Sequence, residues 1–299
     1  MKLLLLVLTS VALFTTATGL RADEELTGTL KKIKDTGALT LGHRESSIPF
    51  SYYDDKNQVV GYSQELALIV VDALKKRLNL PTLQVKLTPV TSQNRIPLIQ
   101  NGTVDLEAGS TTNNTDRAKQ VDFSNTMFVI GTRLLVKKDS GIKDFPDLKG
   151  KNVVVTAGTT SERIIRELND KQSLGLNIIS AKDHGESFLT LQSGRAAAFM
   201  LDDALLAGER AKARKPDDWV VVGTPQSKEA YAMMMRKDDP AFKKVVDDAI
   251  ATAETSGQTE KLYHKWFQSP IPPKGLNLDL PESDDLKALF QHPTDKPYQ

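Results

Sequence analysis

The sequence predicts two α/β units, each a mostly parallel sheet flanked by helices. Three observations predict them. Stretches of strand period alternate with stretches of helical period in two successive runs. The chain has 299 residues, which suits two domains better than one. Its 39% hydrophobic and 26% charged residues are ordinary globular composition.

The first run opens on LTLG, residues 39–42, where Leu39 and Leu41 alternate and Gly42 ends the strand. Arg44 stands just past it. Ser63 is placed to cap a helix to about Leu78. Leu66, Ile69, Val70, Ala73, Leu74 and Leu78 recur at helical spacing there, and Asn79 and Pro81 stop it. LQVKLTPV reads as a strand, NRIPLIQNG as a short helix closed at Gly102, and VDLEAG as a strand ending at Gly109. TDRAKQ is a helical turn, and VDFSNTMFVIGTRLLVKK a long β run.

The second run begins with DLKGKNVVVTAGTTSERIIRELND, read as strand, glycine loop and helix. NIIS is a strand, HGESFLTLQSG a helix ended by Gly194, AAAFM a strand and DDALLAGERAKAR a helix. WVVVGT and EAYAMMMRKDD are strand-like. DPAFKKVVDDAIATAETSGQTEKLYHKWF is helical with a break at Gly257, and IPPKGLNLDLPESDD is a loop or extended arm.

The amino terminus stands outside this pattern. Lys2, the apolar run Leu3–Phe14 and the small and polar residues after it form a secretory leader, residues 1–22, with cleavage expected after Ala22. That run is too short to span a bilayer. The chain has no cysteine, which excludes disulfides, thiol chemistry, Cys-ligated zinc and a lipid-modified cysteine behind the leader. A soluble periplasmic protein fits.

Other chemistries find no support. The formal net charge is +1, so no global field points to nucleic acid. His43, His184, His264 and His292 have no metal-ligand spacing. There is no G-x-S-x-G elbow, GTTSE lacks the lysine of a P-loop, and no G-x-G-x-x-G follows a strand. No cofactor is expected. Open α/β sheets bind ligands at the carboxyl ends of their strands. Arg44, Ser110, Thr112, Thr159, Thr160 and Asp202 all follow predicted strands. Singly each is an ordinary loop residue or helix cap; their recurrence at equivalent places is the signal.

The order GHRESSIPFSYYD, VVGYSQEL, TSQNRIPLIQNGTVDLEAGSTTNNTDRAKQVDFS, GTTSE, SAKDHGESF, GRAAAFMLDDALLAGE and HKWF resembles the amino-acid-binding proteins of bacterial ABC importers, from about residue 28 to residue 290. TSQNRIPLIQNGT, GSTTNNTDR and SAKDHGESF are most similar to the glutamate/aspartate-binding branch. The resemblance implies a two-lobed periplasmic binding protein whose lobes close over ligand. Lobe 1 would hold residues 23–128 and 230–299, and lobe 2 residues 129–229. The crossings would fall near FVIGT and KEAYA. It implies further that Arg117 clamps the α-carboxylate, with Ser110 and Thr112 beside it, and that Asp202 accepts from the ammonium. Arg44, Arg95, Ser92 and His184 would face the side-chain carboxylate, and Thr160 would reach the ligand from lobe 2.

The residue types suit that assignment. Guanidinium pairs bidentately with carboxylate and keeps its charge when buried. Three arginines against Asp202 leave surplus positive charge for an anionic ligand, and helix amino ends after GSTT and GTTS add N–H donors. The plainer roles are N-caps for Ser92 and Thr160 and a backbone-bonded helix start for His184. The implied partners are L-glutamate or L-aspartate and an inner-membrane permease, with the protein a monomer. Three alternatives stay open. One is a binder of glutamine or another polar amino acid. Another is an exported dehydratase-like enzyme, which would need an acid such as Glu45 or Glu162 in the cleft. The third is a sensor module, which would usually carry a membrane span.

Overall fold

The computed structural model describes residues 25–298; the expected leader lies outside the described residues. The chain enters through α1 (Gly28–Thr36) and β1 (Ala38–His43). β2 (Ser46–Ser47), β3 (Ser51–Tyr53) and β4 (Val59–Val60) then make a small antiparallel sheet. There follow α2 (Tyr62–Leu78), β5 (Gln84–Pro89), α3 (Arg95–Gln100), β6 (Leu106–Glu107), β7 (Thr112–Asn113) and α4 (Thr115–Ala118). After the long β8 (Asp122–Lys137), a second alternation comprises β9 (Asn152–Thr156), α5 (Thr160–Gln172), β10 (Asn177–Ala181), α6 (His184–Gln192), β11 (Ala198–Asp202), α7 (Asp203–Ala211) and β12 (Trp219–Val222). β13 (Lys228–Met235) leads back to α8 (Pro240–Thr255), α9 (Gln258–Phe267) and α10 (Asp284–Gln291).

Among the described residues the larger sheet runs β10-β9-β11-β8-β13-β6-β1-β5, with β12 on β8 and β7 on β13. Each end of it is parallel: β5, β1 and β6 at one, β10, β9 and β11 at the other. The middle is antiparallel. β8 pairs with β13 through its first half and with β11 and β12 through its second. One strand thus joins two parallel groups, and β13 meets it at the crossover, where Ile130 pairs with Glu229 and Gly131 with Lys228.

A large core lies under the β5–β1–β6 group. Phe50, Tyr62, Phe128, Tyr231 and Phe267 are packed edge-on or stacked, with Phe50 and Tyr231 centroids 5.2 Å apart and Phe128 and Phe267 4.8 Å apart. Such rings contribute area and a preferred geometry together. They hold β8 and β13 from beneath, next to the crossover. A separate core of Leu134, Val136, Phe145, Val153, Ile165 and Met200 supports the β9–β10–β11 group.

Two local expectations change. α2 is capped by the Gly61 backbone, and Ser63 lies inside it with its hydroxyl donating to the Gly109 carbonyl, 2.7 Å. The serine therefore ties down the loop that carries Ser110. α10 (284–291) begins inside the predicted arm, whose last residues, Asp284 and Asp285, form its first turn behind the cap Ser283. No helix among the described residues is long and apolar enough to cross a membrane.

Candidate functional site

Eight of the nine candidate residues lie at or just beyond the carboxyl ends of parallel strands. Arg44 follows β1, Ser92 and Arg95 follow β5, and Ser110 and Thr112 follow β6. Thr160 follows β9, His184 follows β10, and Asp202 closes β11. Arg117, on α4, reaches in from the side. The two sets of strand ends face each other across the crossover. Arg117 Nη2 donates to the Gly158 carbonyl, 3.1 Å, and Gly185 N donates to Ser46 Oγ, 3.3 Å. Gly158 lies so close to the other half that a Cβ there would stand 2.9 Å from the Gln93 backbone nitrogen.

The arginines are the core of the site. Arg44 and Arg95 are 1% and 2% exposed, unusual for long cationic side chains. Arg44 Nη1 donates to Ser110 Oγ at 3.4 Å; Arg95 Nη1 donates to the Ser110 carbonyl at 3.1 Å and Thr111 Oγ1 at 2.5 Å. Arg117 Nη1 donates to the Thr112 carbonyl at 2.9 Å. The loop 110–112 is therefore the common floor of all three guanidinium groups. Burial, then the neighbouring Arg95 charge, presses Arg44 down to about 10 and Arg117 to about 9. Both stay charged at neutral pH, and an anion among them would relieve the crowding.

Several polar atoms here are buried without a hydrogen-bond partner among the described residues: Ser92 Oγ, Arg95 Nε and His184 Nε2. His184 Nδ1 lies 2.9 Å from Thr156 Oγ1, so its local partner is a side chain, not backbone. Burial, followed by Arg44, Arg95 and Lys212, holds His184 well below its ordinary value, so the ring is neutral. Asp202 accepts from Thr132 Oγ1, 3.0 Å, and from the Tyr231 hydroxyl. Burial and the nearby Glu229 push it up to about 8.

Other roles differ from expectation. The cap of α5 is Thr159, and that of α3 is Asn94; neither Thr160 nor Ser92 is a cap. α4 has only four residues, so the amino end after GSTT is a weak anion site, whereas α5 has thirteen. Glu45 is exposed, and Glu162 is engaged by Gly158 N, Arg166 and Ser180. Glu162 is therefore not a free acid.

Sequence reasoning missed two carboxyl groups. Glu107, wholly buried, accepts from Thr111 Oγ1 at 2.7 Å, and its charge supports Arg44 and Arg95. Glu229 accepts from Thr160 Oγ1 at 2.8 Å, Ser227 Oγ at 2.9 Å and the Thr112 hydroxyl. The surplus of positive charge is accordingly smaller than three arginines against one aspartate. A signal existed for Glu229: in KEAYAMMM it alternates with Tyr231 on one face of an otherwise apolar strand. Among the described residues no cluster is placed to hold a metal ion.

A charged, hydrogen-bonded cleft between two α/β halves that share a crossover strand is the architecture of a two-lobed solute-binding protein. The comparisons agree. Residues 39–269 match the bacterial extracellular solute-binding proteins, family 3, and the chain belongs to that family. It is 65% identical over 268 residues to the glutamate/aspartate import solute-binding protein of Salmonella typhimurium, covering 90% of this chain and 89% of that one. It is also 65% identical to the L-glutamate/L-aspartate-binding protein of Pseudomonas aeruginosa, covering 91% of each. Among solved structures it is similar to the ancestral amino acid-binding protein AncCDT-1, a precursor of cyclohexadienyl dehydratase. That likeness has a TM-score of 0.69 and 31% identity and covers 80% of this chain and 99% of that one.

Proposed function

We propose that this chain is the solute-binding component of an ABC importer, capturing glutamate or aspartate between its lobes and delivering it to a membrane permease. The observation that carries the reading is the arginine cluster, Arg44 and Arg95 buried and Arg117 half-buried beside them, with Ser92 Oγ, Arg95 Nε and His184 Nε2 left unpartnered. Such groups are costly to bury unless a polar ligand completes them. Two carboxylates and one ammonium, the charges of an acidic amino acid, match what is offered.

The roles follow the chemistry of each group. Arg117 holds the α-carboxylate over the 110–112 loop, and Asp202, ionised on capture, takes the ammonium. Arg44 and Arg95 pair with the distal carboxylate, helped by Ser92 Oγ. In the tautomer protonated on Nε2, with Nδ1 toward the Thr156 hydroxyl, His184 donates to the same carboxylate. Thr160 and the amino end of α5 close from the other lobe. Lobe 1 comprises residues 23–128 and 230–299 and lobe 2 residues 129–229. The protein acts as a monomer in the periplasm and catalyses no reaction; the engagement of Glu162 and the exposure of Glu45 favour this over the dehydratase reading.

Isothermal titration of unfolded and refolded protein with glutamate, aspartate, glutamine and arginine tests it. Glutamate and aspartate bind at micromolar concentration or tighter, with glutamine at least about tenfold weaker, because glutamine leaves a buried guanidinium unpaired. Arg117→Ala abolishes binding of every amino acid. Arg44→Ala and Arg95→Ala weaken glutamate far more than any residual neutral ligand; equal losses would reject the distal-carboxylate role.

A further inference from the structure

Glu229 stands where β13 meets β8, opposite Ile130, and is 5% exposed. Its oxygen Oε2 accepts from two hydroxyls, Thr112 on β7 and Thr160 at the start of α5, the latter at 2.8 Å. Those residues follow strand ends of opposite halves. Oε1 accepts from Ser227 Oγ at 2.9 Å and has Thr132 Oγ1 within 3.3 Å. One carboxylate oxygen thus receives a proton from each wall of the cleft.

A hydroxyl has one proton and two lone pairs. Thr112 and Thr160 both give their proton to Glu229, so toward the cleft they offer only lone pairs. That makes them acceptors on the same side as Asp202, opposed to the donors of the arginine cluster. By the lobe bounds proposed above, Glu229 is the last residue of lobe 2 before the return crossing, so its contacts to Thr160 of lobe 2 and Thr112 of lobe 1 both hold only while α5 and β7 lie together against the crossover.

We propose that Glu229 is a positioning residue of this site: it ties the two walls together and fixes the Thr112 and Thr160 hydroxyls as acceptors, so favouring closure over an amino acid. This rests on the reading of the cleft as one that closes on an acidic amino acid. The opposing expectation is equally physical. Glu229 also offsets the Arg117 charge, and a carboxylate that did only this would weaken an anionic ligand, so its removal would tighten binding.

The test uses Glu229→Gln and Thr160→Val in the full protein, each with a fluorophore pair at D72C and D170C, exposed sites on α2 and α5. The chain's lack of cysteine leaves those positions alone for labelling. Two quantities are read: the inter-dye distance distribution without ligand, and glutamate affinity by titration. A glutamine keeps one oxygen with two lone pairs, but it has no charge and sets an NH2 where Oε1 accepts from Ser227 and Thr132, so its hold on the two threonine hydroxyls is weaker. The expected result is a broader, longer distance distribution in each variant and glutamate affinity at least about fivefold weaker. Thr160→Val adds little in the Glu229→Gln background, since both act through one contact. A wild-type distance distribution with equal or tighter glutamate binding would overturn the proposal and leave Glu229 as a charge offset alone. If wild-type protein gives no heat with glutamate, the functional reading fails, and the distance arm still decides the role of Glu229. Thr160→Val removes one hydroxyl at nearly constant shape, so the question stays decidable if Glu229→Gln does not fold.

Discussion

Arg44 and Glu254 are two buried charged residues with opposite consequences. Arg44 sits beside Glu107, Ser110 and Arg95, in the site proposed to take an anion. Glu254, on α8, is 3% exposed, and both its carboxyl oxygens lack a hydrogen-bond partner among the described residues. Burial raises it from an ordinary 4.5 to about 9. Between those values the folded protein holds a proton that the unfolded chain has released, so stability falls as pH rises from about 4.5 toward 9. Glu254→Met removes the titrating group at similar volume. The denaturation midpoint of the wild type should drop between pH 5 and pH 8 and that of the variant should drop less, with the variant more stable at pH 8 by at least about 1 kcal/mol. Identical pH slopes would show that Glu254 is not the source. At this scale the sequence was legible where a residue sat in a long motif. Arg44, Arg95 and Arg117 were found because GHRESS, TSQNR and TTNNTDR carry them. Glu107 was not, because a glutamate inside LEAG reads as the solvent side of a strand until the sheet is assembled, and Glu229 was not although its alternation with Tyr231 offered a signal.

The contact between the halves is built at the ends of elements. The β9–α5 turn places Gly158, at φ +79°, against the Ser92–Gln93 backbone, and α7 places Gly208 under the Ile48 carbonyl. A side chain at either position would wedge the halves apart. Gly158→Ala should therefore lower glutamate affinity by about tenfold or more, while the left-handed backbone costs the free protein roughly 1–2 kcal/mol. Titration and denaturant unfolding separate the two effects, and unchanged affinity would mean that the turn does not approach the other lobe in solution. Elements with many periods, such as α2 and β8, could be read from the chain. β2, β3 and β4, two or three residues each, could not, because so short a stretch shows no alternation. The antiparallel centre of the sheet was also hidden, since pairing partners separated by the intervening helices and strands leave no local trace.

At the scale of the molecule, two strands cross between the halves, and the largest core runs beneath them from Leu39 and Phe50 to Phe199 and Leu205. The crossover of β8 and β13 carries the connection, with the aromatic cluster beneath it and Glu229 above. Lobes joined in this way rotate as bodies about a short segment. Small-angle scattering should give a larger radius of gyration for the ligand-free protein than for the glutamate-saturated one. Ligand at a hundred times its dissociation constant should add about 2.7 kcal/mol of stability. Superimposable scattering curves with and without glutamate would rule out closure as the mode of capture.

The path of the chain through this architecture also bears on how the protein is made. The core of Leu134, Val136, Phe145, Val153, Ile165 and Met200 is drawn from one uninterrupted stretch. The largest core joins Leu30, Leu39 and Leu66 to Phe242, Ile250 and Phe267, residues from opposite ends of the chain, and takes in Phe199 and Leu205 between them. A chain emerging amino end first can complete the interior unit while α1, β1 and α2 still wait for α8 and α9. The part synthesised first is thus the part assembled last, and its apolar surface is the one a holding chaperone must shield.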